Sequence, residues 1–124
     1  MYSQVKRGNV RAFDHEKLDV YQASLSLVEL FDKVTREMPK GRVYLTDQLL
    51  RAGTSITLNI AEGAGEYSSS EKTRFYRMAK RSATECAGVL DICSRLQLIG
   101  EDLYVECRDI LMRIVAMLVG MVRR

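Results

Sequence analysis

The chain has 124 residues, 47% of them hydrophobic and 28% charged, which are the values of one ordinary globular domain and exclude a disordered chain. A formal net charge of +3 is too mild for basicity alone to argue for nucleic acid, so the placement of the charges matters more than their sum. The charged N-terminus has no apolar run behind it, and the longest uncharged apolar run, 114–122, is far shorter than the roughly 20 residues a spanning helix needs. The expected location is the cytoplasm.

Residues 1–13 contain Lys6, Arg7 and Arg11, with no acidic residue and no apolar period before Phe13. They read as a basic arm, either lying on phosphates through Lys6 and Arg7 or simply a charged terminus. From Asp14, a plausible N-cap, a first helix is expected over about 15–38. Its core stripe is Val20, Ser24, Leu27, Phe31, Val34 and Met38, and Pro39, Lys40 and Gly41 end it.

A second helix follows over about 45–65. Leu45, Leu49, Ala52, Ile56, Ile60 and Gly63 share one face, and Gln48, Arg51, Ser55, Asn59 and Glu62 form a row beside it. Ser and Asn favour caps and turns over helix interiors, so their place in mid-helix predicts side chains that bond to a neighbouring helix. Gly63 on the core face reads as tight packing, since a G-x-G with no strand before it is weak evidence for a nucleotide loop.

Ser68 and Glu71 have capping-box spacing and open a third helix over about 69–98. Phe75, Met78, Ala79, Ser82, Cys86, Val89, Cys93 and Leu96 are its expected inner face, with Glu85 at the edge. Antiparallel pairing with the second helix sets Ser82 near Ser55 and Glu85 near Arg51. The prediction is an interhelical network of Arg51, Ser55, Asn59, Glu62, Ser82 and Glu85, in which Arg51→Ala costs several kcal/mol if the Arg51–Glu85 pair is buried. The outer face carries Arg74, Arg77, Lys80 and Arg81, with Arg95 further along. This is either a phosphate-binding stripe, helped by stacking on Tyr67 and Tyr76, or a solvated helix face.

Gly100 is expected to stop that helix, and Glu101 and Asp102 begin a fourth over about 101–122, where the helix dipole favours acids. Leu103, Cys107, Ile110, Ile114, Met117, Leu118 and Met121 face the core. Leu111, Val115, Val119 and Val122 cover the adjoining side, so this helix is apolar nearly all round, which predicts burial between subunits through those four residues.

The segment RAGTSITLNIAEGAGE, the serine cluster after it and the pattern of helices resemble the four-helix-bundle proteins of 23S rRNA intervening sequences. Arg51, Ala52, Ser55, Ile56, Asn59, Ile60, Ala61, Glu62 and Gly63 carry the resemblance most specifically. It implies an all-α, antiparallel up-down bundle over residues 14–124 that assembles into a ring-shaped homo-oligomer, commonly a pentamer. A related branch comprises the accessory proteins of diversity-generating retroelements, basic pentamers that bind a reverse transcriptase and nucleic acid.

Chemistry that a helical bundle can host is not encoded. His15 is the only histidine, so a di-iron site built on paired Glu-x-x-His motifs and any Ser-His or Cys-His catalytic arrangement lack their parts. Cys86, Cys93 and Cys107 show no metal spacing and read as core thiols. No metal, cofactor or catalytic residue is expected. The reading is a non-enzymatic accessory protein that holds RNA or DNA, the alternative being a protein-interaction scaffold without nucleic acid.

Overall fold

The computed structural model describes residues 11–123; Lys6 and Arg7 of the basic arm lie outside them. A 3-10 turn, Asp14–Lys17, precedes four helices: α1 Asp19–Glu37, α2 Val43–Ala64, α3 Ser69–Arg95 and α4 Glu101–Val122. No strand occurs among the described residues.

Residue pairs between helices fix the topology. Thr57 Oγ1 of α2 donates to Ser24 Oγ of α1 at 3.0 Å, and a Cβ on Gly53 would stand 2.6 Å from the Phe31 ring. Ser55 of α2 meets Ser82 of α3, and Gln48 meets Glu85. In each pair of helices the numbers rise on one as they fall on the other, so neighbours run antiparallel. Since α1 also packs on α4, while the backbones of α1 and α3, and of α2 and α4, do not approach closely, the four helices form a square with those pairs on its diagonals.

The core is the stripe each helix turns inward. Phe31, Leu27, Ile56, Ile60, Leu90, Ile114 and Leu118 are fully buried, each stabilising the fold by about 1.5–3 kcal/mol relative to exposure. Ser24 is a polar member that is fully satisfied: it accepts from Thr57 and donates to the Tyr21 carbonyl at 2.6 Å.

The helix ends show how local chemistry sets the boundaries. Asp14 is not the N-cap of α1. It lies in the 3-10 turn, where the Phe13 N–H donates to the Glu16 carboxylate at 3.2 Å, and α1 begins only after an extended Leu18. His15 stacks on Phe13 and meets Tyr21 edge-on at 4.6 Å, holding that turn against α1. Gly41, at φ 95°, makes the reversal into α2, a conformation that favours a residue without a Cβ. Lys72 Nζ donates to the carbonyls of Gly63 and Ala64, satisfying acceptors that the end of α2 leaves open.

α3 begins at Ser68, whose Oγ accepts from the Glu71 N–H at 3.1 Å. It stops at Arg95, short of the expected 98, and Gly100 does not stop it. Gln97 adopts a left-handed φ of 59° while Leu98 N–H donates to Cys93 O at 2.8 Å and Gln97 N–H to Ser94 O. This is a Schellman ending with glutamine in the position glycine usually holds.

Candidate nucleic-acid interface

α3 is buried along Tyr76, Ala79, Ala83, Cys86, Val89, Leu90 and Cys93, which keeps Ala79, Cys86, Val89 and Cys93 of the expected face and turns the rest of the arc toward α4. Met78 and Leu96, expected inside, are exposed. Tyr76, expected as stacking surface, is instead packed on α2, where a Cβ at Gly63 would stand 2.7 Å from its ring. Gly63 is therefore a point of close helix approach. Tyr67, in the turn between α2 and α3, is fully exposed.

The outer face of α3 displays the four expected cations, and they are not equivalent. Arg74 is held by Glu71 through two bonds, Nε to Oε2 at 3.3 Å and Nη2 to Oε1 at 3.2 Å, and that hydrogen bond first, then the charge of Glu71, pushes its pKa upward. Its charge is largely answered. Arg77, Lys80 and Arg81 are exposed and have no ion-pair partner among the described residues. Asp91, further along α3, turns to α4: Tyr104 Oη donates to it at 2.7 Å and Arg108 lies 3.6 Å away.

The polar network is half of the expected set. Ser55 and Ser82 hydroxyls lie 2.9 Å apart across the α2–α3 seam, and Asn59 Nδ2 donates to both the carbonyl and the hydroxyl of Ser55, at 2.9 and 3.0 Å. Glu85 accepts from Gln48 at 3.5 Å, a weak bond, in place of Arg51. Arg51 and Glu62 are exposed on the outer side of α2. The expected buried Arg51–Glu85 pair does not form. At the periphery of the seam long side chains keep their charges in water, where pairing gains little; only the short groups reach one another.

Two depressions open on this seam. One, of about 290 Å³, is walled by Ser55, Asn59, Met78, Arg81, Ser82 and Glu85. A broader one of about 510 Å³ lies along α2 beside Leu50, Arg51, Leu58 and Glu62, and shares Ser55 and Asn59 with the first. Sequence reasoning missed Met78 as a wall of this cavity, because its spacing fitted the core stripe.

On α4, Leu111 is a core residue at 3% exposure, so its expected place in a subunit interface is corrected. Val115 and Val122 are partly buried against the core, and Val119 is half-buried. The apolar surface that remains open centres one step further round, on Val105, Met112 at 62% exposure and Ala116. A helix apolar over so wide an arc does not announce which line of it points inward.

Burial pushes the Cys86 and Cys107 thiols up to about 12, with the charges of Glu85 and Glu106 adding to the effect, and raises Cys93 as well. All three are buried free thiols. No group of three or more His, Cys, Asp or Glu is placed to hold a metal among the described residues, and no helix there is long and apolar enough to cross a membrane.

These features define a four-helix bundle with a cationic outer helix face beside a polar-floored groove. The chain belongs to the 23S rRNA-intervening sequence protein family, whose pattern it matches over residues 16–120. It is similar in fold to a protein of unknown function from the S23 ribosomal protein family of Bacteroides thetaiotaomicron VPI-5482, at 21% identity and a TM-score of 0.78, covering 85% of this chain and 99% of that one. No curated protein matches it.

Proposed function

We propose that this chain is a non-enzymatic, self-assembling cytoplasmic accessory protein that binds RNA or DNA through phosphate contacts on the outer face of α3. The observation that carries the reading is the trio Arg77, Lys80 and Arg81, exposed on one helix with no carboxylate pairing them among the described residues. A cation with no internal partner keeps its full attraction for a phosphate, and the arginine fork donates two bonds at once. Lys6 and Arg7 add charge to the same partner, and Arg74 contributes once Glu71 yields to a stronger anion. Assembly of subunits into a ring, with a pentamer as the proposed size, repeats the stripe and multiplies weak contacts into useful affinity. The open apolar strip of Val105, Met112, Ala116 and Val119 on α4 supports that assembly.

The same strip favours a second reading, a scaffold that docks only proteins. Charge reversal separates the two. In Arg77→Glu with Arg81→Glu, a labelled RNA hairpin or DNA duplex is expected to lose at least about tenfold in affinity at low salt, while the mass of the assembly by light scattering is unchanged. Unchanged affinity in that double variant contradicts the phosphate reading and leaves the scaffold.

A further inference from the structure

We propose that the cavity between α2 and α3 receives a single unpaired nucleobase carrying an exocyclic amine, from a strand whose phosphates lie on Arg77 and Arg81. The inference rests on the phosphate reading above and adds a base-recognising site to it.

The starting point is Asn59. It is only 9% exposed, yet it lines the 290 Å³ cavity and the depression that adjoins it. The Ser55 carbonyl it faces can only accept, so the amide edge turned toward that carbonyl is the NH2, which the Ser55 hydroxyl also engages. Asn59 Oδ1 is left with no partner among the described residues. That oxygen is open to the depression, where a donor from outside can reach it.

The hydroxyl pair behind it has the complementary deficit. One proton bridges Ser55 and Ser82, whichever of them donates it. The second hydroxyl proton has no acceptor in the seam and is free to point into the cavity. The floor therefore presents one acceptor and one donor side by side, as the edge of a base does. Glu85 forms another wall, and its carboxylate, bound only by the 3.5 Å contact from Gln48, is a second acceptor. Two acceptors against one donor select a base with an amine over one that offers a carbonyl in its place.

Size and charge agree. A volume of about 290 Å³ is at the small end of ligand sites, right for one ring system rather than a drug-sized molecule. Met78, at 38% exposure, supplies apolar surface for the face of the ring. Arg81 is itself part of the wall, with Arg77 one turn away, so a phosphate backbone has cations directly beside the base it delivers. Glu62 repels phosphates from the α2 side, which leaves the strand the path along Arg77 and Arg81 of α3. A peptide amide matches the floor equally well but gains nothing from those arginines.

Single-stranded C-tract and U-tract RNAs of equal length test this directly, because they carry identical phosphates and differ on the base edge, where the cytosine amine and N3 acceptor become the uracil carbonyl and N3–H donor. Fluorescence anisotropy with the full-length protein is expected to show the C-tract binding about tenfold tighter, the scale of one well-made base contact. Met78→Trp, an exposed position whose larger ring fills the cavity, is expected to bring the ratio close to one, and Glu85→Gln to reduce it. Arg77→Glu with Arg81→Glu is expected to weaken both tracts together and preserve the ratio. Equal affinity for the two tracts in the unmodified protein, or a ratio untouched by Met78→Trp, overturns the base site while the phosphate reading stands. No binding of either tract at low salt overturns both and returns the groove to a protein ligand.

Discussion

Arg51 and Glu85 stand on facing helices with opposite charges, and they do not meet. Arg51 points to solvent and Glu85 takes a long bond from Gln48, whereas Ser55, Ser82 and Asn59 close a tight set beneath them. Short side chains are committed by the backbone to the seam; long ones have rotamers to spare and lose entropy if they join it. Their positions on the helix were legible from 100° spacing, but the choice between pairing and hydration was not, because it depends on depth. Arg51→Ala is accordingly expected to lower stability by less than about 1 kcal/mol, measured by urea unfolding, in place of the several kcal/mol that a buried pair implies. A loss above about 3 kcal/mol contradicts the exposed placement of Arg51.

At the scale of the element, helix number and most of the α1 stripe could be read from periodicity, since Val20, Ser24, Leu27, Phe31 and Val34 are all buried, while Met38, the sixth expected member, lies just past the helix end and is half-buried. α3 and α4 were harder. Each has apolar residues over a wide arc, so spacing alone places Met78 in the core and Leu111 at a subunit surface, and packing decides the reverse. The end of α3 was also hidden, because glutamine at a left-handed φ carries no signal that glycine would have given. The two glycines Gly63 and Gly88 separate packing from propensity. Gly63→Ala forces a methyl to 2.7 Å from the Tyr76 ring and is expected to destabilise by about 1–3 kcal/mol. At Gly88 nothing lies within 4 Å of an added Cβ, so Gly88→Ala in mid-helix is expected to stabilise by about 0.5–1 kcal/mol. Shifts of the same sign in the two midpoints contradict this account of the α2–α3 contact.

For the whole molecule, the square of antiparallel helices buries three thiols, and this couples stability to pH on the alkaline side. Cys86 and Cys107 rise from an ordinary 9.0 to about 12, mainly through burial, so the folded state holds its protons where the unfolded chain releases them. A raised pKa contributes stability that is complete below the unfolded value and is lost as pH climbs toward the folded one. Thermal midpoints are therefore expected to fall between pH 9 and 12, and less steeply in Cys86→Ala, with a pH-independent midpoint over that range arguing against buried thiols.

The bundle also sets the claim on which the functional account depends, that α3 offers Arg77, Lys80 and Arg81 outward with no ion-pair partner among the described residues. The most direct measurement is the affinity of the assembled protein for a DNA duplex as salt is raised. Three phosphates neutralised by Arg77, Lys80 and Arg81 predict a log–log slope of about −3 per engaged chain, steeper if several subunits bind at once. A slope near zero, or no binding at low salt, contradicts it.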